Sequence, residues 1–183
     1  MSAATISGIS GLVAVNSLMA MVGGILVVLW ISKNDPGFIH NGALAGLVSI
    51  CAGSDKVHPL GALIIGGLAG AIFVKGFTWE QEKLKIDDVL GVWPLHGICG
   101  SWGGIACGIF GQESLGGLGG VSILAQIIGS VAAIVIALTS GFIVYKTLNS
   151  LFGIRLEADE EMKGSDLTIH KLESYPEDVT SRF

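Results

Sequence analysis

The sequence predicts an all-α protein, a polytopic transmembrane helix bundle, and three features of the residue pattern predict it. Hydrophobic residues make up 51% of the chain and charged residues only 14%, and the mean hydropathy is +0.71. Charged residues are missing from long runs, whereas a soluble helix needs a polar face. The 28 glycines are typical of helices that pack closely within a membrane. The charge-free runs are 1–32, 36–54, 57–74, 89–112 and 114–145.

Five hydrophobic segments follow one another along the chain. A helix needs about 20 residues to cross the hydrocarbon core, at roughly 1.5 Å per residue. The second segment is short, so it must be thinly inserted, extended by flanking polar residues or packed in protein. We interpret the first segment as a spanning helix, because its apolar run is longer than a signal peptide needs and no basic residue precedes it. The segments lie near 8–32, 39–53, 58–76, 90–110 and 120–148.

The basic residues between the segments predict the orientation in the membrane. With a cytoplasmic C-terminus, five spans place the N-terminus outside, and the inside loops then hold most of the lysines. Lys56 is the lysine of the outside loops. The sequence therefore predicts an integral, multi-pass protein of the cell membrane with its C-terminus in the cytoplasm. The basic residues on the inside are Lys33, Lys75, Lys83 and Lys85, with Lys146 and Arg155 at the last exit.

A change of composition divides the chain into a transmembrane domain at 1–152 and a polar tail at 153–183. Residues 147–183 hold eight acidic and four basic side chains, which accounts for most of the net charge of −5. The sequence has no basic cluster that would indicate a nucleic-acid partner. The three cysteines, an odd number in or beside apolar runs, argue against a disulfide framework and show no zinc-binding pattern.

The ionisable residue that calls for an explanation is His96, which lies within the charge-free run 89–112. Pro94 is expected to kink the helix just before it, and glycines follow it at helical i+4 spacing: Gly100, Gly104 and Gly108. Such a stripe lets another helix approach closely. One interpretation is a histidine that only holds the bundle together. The other is a ligand, proton relay or pore-lining group, since ionisable residues in a membrane are usually functional. A metal site fits poorly, because no second ligand falls at the right spacing.

Two carboxylates precede this segment. Asp87 and Asp88 come directly before the fourth hydrophobic segment, where carboxylates can cap free N–H groups at the start of a helix. We expect this structural role in preference to direct contact with a substrate.

Three stretches of the sequence carry a resemblance to a known family. The stretch KIDDVLGVWPLHGICGSWGGIACGIFG, at 85–111, resembles the signature helix of the ammonium transporter family, the Amt/Mep branch of the Amt/Mep/Rh superfamily. NGALAGLVSICAG, at 41–53, is similar to the motif that precedes it, and GIRLEADEEMKGSDLTIH, at 153–170, resembles the C-terminal tail. The similarity covers nearly the whole chain in family order.

The resemblance implies a homotrimer in which each protomer has eleven spans and its own narrow pore. Ten of the spans form two inverted halves, and this chain would supply part of the second half together with the last span. Two histidines line the middle of the family's pore, and His96 matches the one on the tenth span. Val92 matches an apolar residue that lines the pore one turn earlier. Ammonium would lose a proton at the mouth, and ammonia would then cross along the histidines.

The resemblance also assigns roles to residues around the pore and in the tail. The residues expected to have a structural role or to shape the vestibule are Asp87, Asp88, Pro94, Gly100 and Gly104. The residues that match the family's tail motif are Arg155, Glu161, Gly164 and Asp166. The tail is expected to be cytoplasmic, to communicate between protomers and to engage a PII-type nitrogen-regulatory protein. Membrane lipid would surround the helices, and no cofactor is expected.

The chain departs from the family in its extent, because it matches only the last five spans. We expect it to be incomplete as a transporter on its own, since the first inverted half and the partner histidine are missing. An alternative is a non-transporting regulatory subunit or a truncated remnant that associates with full-length transporters. An enzyme is not expected, because no nucleophile–base pair, metal cluster or phosphate loop is evident.

Overall fold

The computed structural model describes residues 3–164 together with 167 and 169, with side chains from residue 8 onward, and within this part of the chain it contains helices but no strands. Six of the elements are α-helices, and two π-helical segments and one 3₁₀ turn lie between them. The π-helical segments are Glu80–Leu84 and Trp93–Ile98, and the 3₁₀ turn is Glu113–Leu115. The α-helices are α1 (Ala3–Ile31), α2 (Pro36–Ile50), α3 (Pro59–Trp79), α4 (Cys99–Phe110), α5 (Ile123–Phe152) and α6 (Ala158–Lys163).

Three helical stretches in the described residues are long and apolar enough to cross a membrane: Gly8–Ile31, Pro59–Leu84 and Ile123–Phe152. The 15 residues of α2 span only about 22 Å at the α-helical rise, less than the hydrocarbon core. The fourth hydrophobic segment is expected from its sequence as one helix over 90–110. It consists instead of the π-helical segment Trp93–Ile98 followed by the twelve residues of α4.

The chain forms two compact units, residues 1–135 and 136–183, and the boundary between them falls within α5. The first unit contains α1 to α4 and the beginning of α5. The second contains the rest of α5 and the short helix α6. This division concerns packing, so the separation of a membrane domain from a tail at residue 152 stays a prediction.

The centre of the first unit is α1. Its backbone lies directly against the backbones of α2 and α3, because glycines leave no side chains between them. A Cβ atom added at Gly46 of α2 or at Gly66 of α3 would overlap the backbone of Ala20 in α1. Gly24, one turn further along α1, meets Gly42 of α2 in the same way. The small residues therefore let three helix backbones approach each other, as in other membrane bundles.

Capping residues and buried polar groups fix the connections between these helices. Asp35 caps α2 by accepting a hydrogen bond from the Phe38 N–H at 3.2 Å, and Pro59 begins α3, because proline fits the first turn of a helix. Asn16 of α1 is fully buried. Its amide donates hydrogen bonds of 2.8 Å to the carbonyls of Ser54 and Val57, so α1 holds the connection that follows α2.

Candidate functional site

The segment that carries His96 begins with a tight turn against α3. Gly91 is buried with φ +70°, and a Cβ atom there would lie 2.8 Å from the rings of Phe73 and Phe77. A glycine is therefore required at this position, for both conformation and space. Pro94 is buried and close to Gly76 of α3. The turn and the proline together fix where the segment lies against α3.

The N–H groups at the start of this segment are bound by Asp88. Its Oδ1 accepts from the Val92 N–H at 2.8 Å and its Oδ2 accepts from the Trp93 N–H at 2.9 Å. Burial by itself would raise the pKa of Asp88, but these hydrogen bonds and others from the Gly91 and Leu90 N–H groups hold that pKa below its ordinary value. Asp88 therefore has the capping geometry expected from the sequence, whereas Asp87 is exposed.

His96 lies on an exposed strip of this segment. Val92, Trp93, His96 and Gly97 are exposed, Val92 to 51%, whereas Pro94 and Leu95 on the opposite side are buried. The imidazole makes no hydrogen bond within the described part of the chain. The segment that carries His96 thus has one buried face and one exposed face, and His96 lies on the exposed face together with Val92. The interpretation that His96 holds the bundle by bonding a neighbouring helix has no contact in this part of the chain to support it.

The glycines after His96 lie in different environments along α4. Gly100 has only Val48 nearby, at 3.9 Å, whereas Gly104 faces the Ser130 side chain at the beginning of α5. The contact between the α4 and α2 backbones is made by Gly103, where an added Cβ would lie 2.9 Å from the Ser49 Cα. Gly108 also faces the beginning of α5, where an added Cβ would lie 2.8 Å from the Ile123 Cα. Gly104 and Gly108 of the expected stripe therefore lie against one helix, α5, whereas Gly100 does not.

The tail residues expected to be regulatory form a local ion pair. Arg155 donates from Nε to Glu161 Oε1 at 2.8 Å and from a terminal nitrogen to Oε2 at 3.1 Å. The hydrogen bond from Arg155 lowers the pKa of Glu161, and the same bond raises the pKa of Arg155. Gly164 ends α6 with φ +91°. Asp166 lies outside the described residues.

A buried carboxylate that the sequence analysis did not single out is Glu80, which is only 3% exposed. The sequence carries a signal for it, because Phe73, Phe77 and Glu80 recur at helical spacing and Phe73 is buried. In the residues described, no group of histidine, cysteine and carboxylate side chains could hold a metal ion. Cys51, Cys99 and Cys107 are free thiols.

Comparisons with known proteins agree on one family. Residues 1–175 match the model of the Ammonium Transporter Family. The chain is 44% identical over 179 residues to the ammonium transporter Amt2 of Methanocaldococcus jannaschii, covering 97% of this chain and 42% of that protein. It is 31% identical over 191 residues to the ammonium transporter of Bacillus subtilis, covering 97% and 47%.

A solved structure described as a sensor Amt protein matches with a TM-score of 0.74 and 28% sequence identity, covering 87% of this chain and 42% of that one. The chain thus spans less than half the length of these relatives. The match extends over the helices that position His96, Asp88 and the glycine contacts, so sequence and fold lead to the same assignment. The chain belongs to the ammonium transporter family.

Proposed function

We propose that this chain forms the His96-bearing part of a transmembrane pathway for ammonium and ammonia. The observation that carries the proposal is the exposed strip of Val92, Trp93, His96 and Gly97, which lies on a segment anchored on its other side. A strip that is rigidly held and open to contact is what one wall of a pore needs. The names of the relatives give the substrate.

The chemistry of the strip fits the transfer of ammonia better than that of ammonium. Bringing a charged ammonium between apolar walls costs several kcal/mol of lost hydration. A neutral imidazole offers one hydrogen-bond donor and one acceptor, so it can hold ammonia and pass it on. We propose that ammonium gives up its proton at the mouth and that ammonia moves past Val92 along His96. A partner histidine would come from the part of the relatives' length that this chain does not match.

The proposed orientation places the C-terminus in the cytoplasm. Lys33 follows α1, and Lys75, Lys83 and Lys85 cluster around the end of α3, all of them exposed. The opposite end of the bundle has Lys56. The excess of lysine at one end supports this orientation by the positive-inside bias.

The tail supports a further proposal, that the complete transporter is a homotrimer regulated from the cytoplasm. The paired Arg155 and Glu161 give residues 153–164 a defined local shape, and the capping box of Glu157 and Glu160 starts α6. A short, charged, structured segment of this kind fits contact with a neighbouring protomer or with a PII-type protein.

The test is a chimera in which this chain replaces the matching part of Methanocaldococcus jannaschii Amt2, reconstituted in proteoliposomes. We expect an ammonium-evoked current from the chimera, and loss of most of that current with His96→Ala. The matched control is His40→Ala, which removes an exposed histidine of α2. A folded chimera that is silent would contradict transport and favour a non-transporting regulatory role. A current unchanged by His96→Ala would contradict the assignment of His96.

A further inference from the structure

A small cavity lies where the beginning of α2, the end of α3 and the loop before the His96 segment meet. Its volume is about 240 Å³, which leaves room for a small organic molecule, since one water occupies about 30 Å³ of the liquid. Most of its lining is apolar: Phe38, Phe73, Phe77, Val89 and Leu90. Val89 and Leu90 are 78% and 65% exposed, so a molecule in the cavity would cover apolar surface that is now bare.

Three phenylalanine rings form one wall of the cavity. The ring centroids of Phe38 and Phe73 are 5.8 Å apart, those of Phe38 and Phe77 are 5.6 Å apart, and those of Phe73 and Phe77 are 5.9 Å apart. These separations are typical of packed aromatic rings. The wall is therefore held in place by its own contacts and does not have to be ordered by a ligand, which would otherwise weaken binding.

The polar side chains that line the cavity are Asp35 and Asn41. Oδ1 of Asp35 accepts from the Phe38 N–H at 3.2 Å, whereas its Oδ2 and the Asn41 amide make no hydrogen bond within the described part of the chain. Gly37 leaves the carboxylate accessible, because a Cβ atom there would lie 3.2 Å from Asp35 Oδ1. No basic residue is in the lining, so the cavity presents one negative charge and an apolar wall.

We propose that this cavity binds a primary ammonium group carried on a short apolar body. The ammonium group has three hydrogen-bond donors, which suit Asp35 Oδ2 and the side-chain oxygen of Asn41. The apolar body covers Val89 and Leu90, and aromatic rings nearby add attraction for a cation. An anion would be repelled by Asp35, which already binds an N–H group at the start of α2. A neutral apolar molecule would leave the carboxylate without a partner.

The cavity shares a wall with the turn that begins the His96 segment. A Cβ atom at Gly91 would lie 2.8 Å from the Phe73 and Phe77 rings, and Leu90, which precedes Gly91, lines the cavity. A ligand that covers Leu90 therefore restrains this turn, although His96 is not part of the lining. We expect the bound amine to lower ammonium transport. This consequence rests on the proposed function, whereas binding itself does not.

Binding is measured by equilibrium dialysis of radiolabelled butylammonium against the whole chain in a maltoside detergent. We expect saturable binding that excess butanol, which has the same apolar body without the charge, does not displace. Asp35→Asn should weaken binding about tenfold through loss of the charge, and the chain should stay folded by circular dichroism, because asparagine also caps helices. The matched control is Glu82→Gln, an exposed acid outside the cavity, which should leave binding unchanged.

Three results of the dialysis would overturn the proposal. They are no saturable binding, displacement by butanol as effective as by unlabelled butylammonium, and equal affinity of the wild type and a folded Asp35→Asn. Leu90→Ala provides a second variant that leaves the cap of α2 intact, and it should weaken butylammonium binding severalfold through the lost apolar contact.

The same ammonium chemistry occurs in free amines and in the head group of phosphatidylethanolamine. Displacement of butylammonium by short-chain phosphatidylethanolamine, but not by phosphatidylcholine, would assign the cavity to the lipid head group. No displacement by either lipid would assign it to a soluble amine, and equal displacement by both would contradict a site for a primary ammonium group.

The effect on transport is tested separately in the chimera with Amt2. Butylammonium should lower the ammonium-evoked current, and Asp35→Asn should remove most of that inhibition. If the chimera is silent, the proposed function fails while the dialysis result stands. Inhibition that persists unchanged in Asp35→Asn would show that the amine acts elsewhere and that the cavity does not control the segment.

Discussion

The α1–α3 bundle and the helix α5 contain the same kinds of residue but use them in opposite ways. The bundle is rich in glycine and α5 contains Gly129 and Gly141. In both, a serine hydroxyl donates a hydrogen bond to a carbonyl of its own helix, as Ser49 and Ser140 do. In the bundle the glycines form the contacts between helices, whereas no residue of α5 is buried. The comparison teaches that small residues acquire structural importance from what lies opposite them.

The largest expected effect comes from adding one methyl group where the backbones touch. Gly66→Ala would place a Cβ on the Ala20 backbone, and neither helix can move without breaking the contact on its other side. We expect a destabilisation of about 3 kcal/mol or more, measured as the free energy of unfolding in mixed micelles. Gly129→Ala in α5, where nothing lies within 4 Å, is the matched control and should be neutral or slightly stabilising. Equal effects at the two positions would refute the comparison.

A buried polar contact should have the next largest effect. Asn16→Leu removes the two hydrogen bonds that α1 donates to the Ser54 and Val57 carbonyls and leaves those carbonyls unpaired. The expected loss is about 2 kcal/mol in the free energy of unfolding. Ser140→Ala on α5 removes a hydroxyl bonded within its own exposed helix, and we expect almost no change there. If Asn16→Leu lowered the free energy of unfolding no more than Ser140→Ala does, α1 would not hold this connection.

The same contrast explains what the sequence could predict. Charge-free runs locate the helices, because the bilayer excludes charge wherever a helix crosses. Pro59 marks the start of α3, because proline fits the first turn of a helix. Glycine pairs such as Gly42 with Gly46 indicate close packing, although the pattern alone does not say which helix lies opposite.

The local geometry around His96 depends on contacts that spacing does not reveal. The π-helical segment begins beside Gly91, which has positive φ against the Phe73 and Phe77 rings, and beside Asp88, which binds two consecutive N–H groups. Along α4, Gly103 and not Gly104 meets the α2 backbone. Helical periodicity extended from His96 therefore identifies the glycines that face α5, Gly104 and Gly108, but not the one that faces α2.

A half-buried cap should have a smaller effect than either core change. Asp88→Asn weakens the hydrogen bonds to the Val92 and Trp93 N–H groups and should cost about 1 kcal/mol. Because the folded pKa of Asp88 is lowered, its contribution is present above the unfolded pKa and is lost as pH falls through the folded value. The stability difference between wild type and Asp88→Asn should therefore shrink in acid. Asp87→Asn, an exposed neighbour, is the control, and a similar acid dependence there would contradict the assignment.

The smallest expected effect is in the tail, where an ion pair of good geometry is fully exposed to water. Arg155 and Glu161 make two hydrogen bonds, yet exposed pairs contribute little because water and salt screen them. Arg155→Gln should leave the unfolding of the chain unchanged and return the pKa of Glu161 upward to its ordinary range, since the guanidinium is what lowers it.

Nuclear magnetic resonance titration of the Glu161 carboxyl in the whole chain measures this change in pKa, and the control Lys163→Gln should leave the pKa of Glu161 unchanged. A Glu161 pKa unmoved by Arg155→Gln would mean that the pair does not form in solution, and the proposed shape of the regulatory segment would lose its main support. A pair that forms without stabilising the chain is what a contact surface for a partner requires, because it shapes the segment and leaves the bundle unaffected.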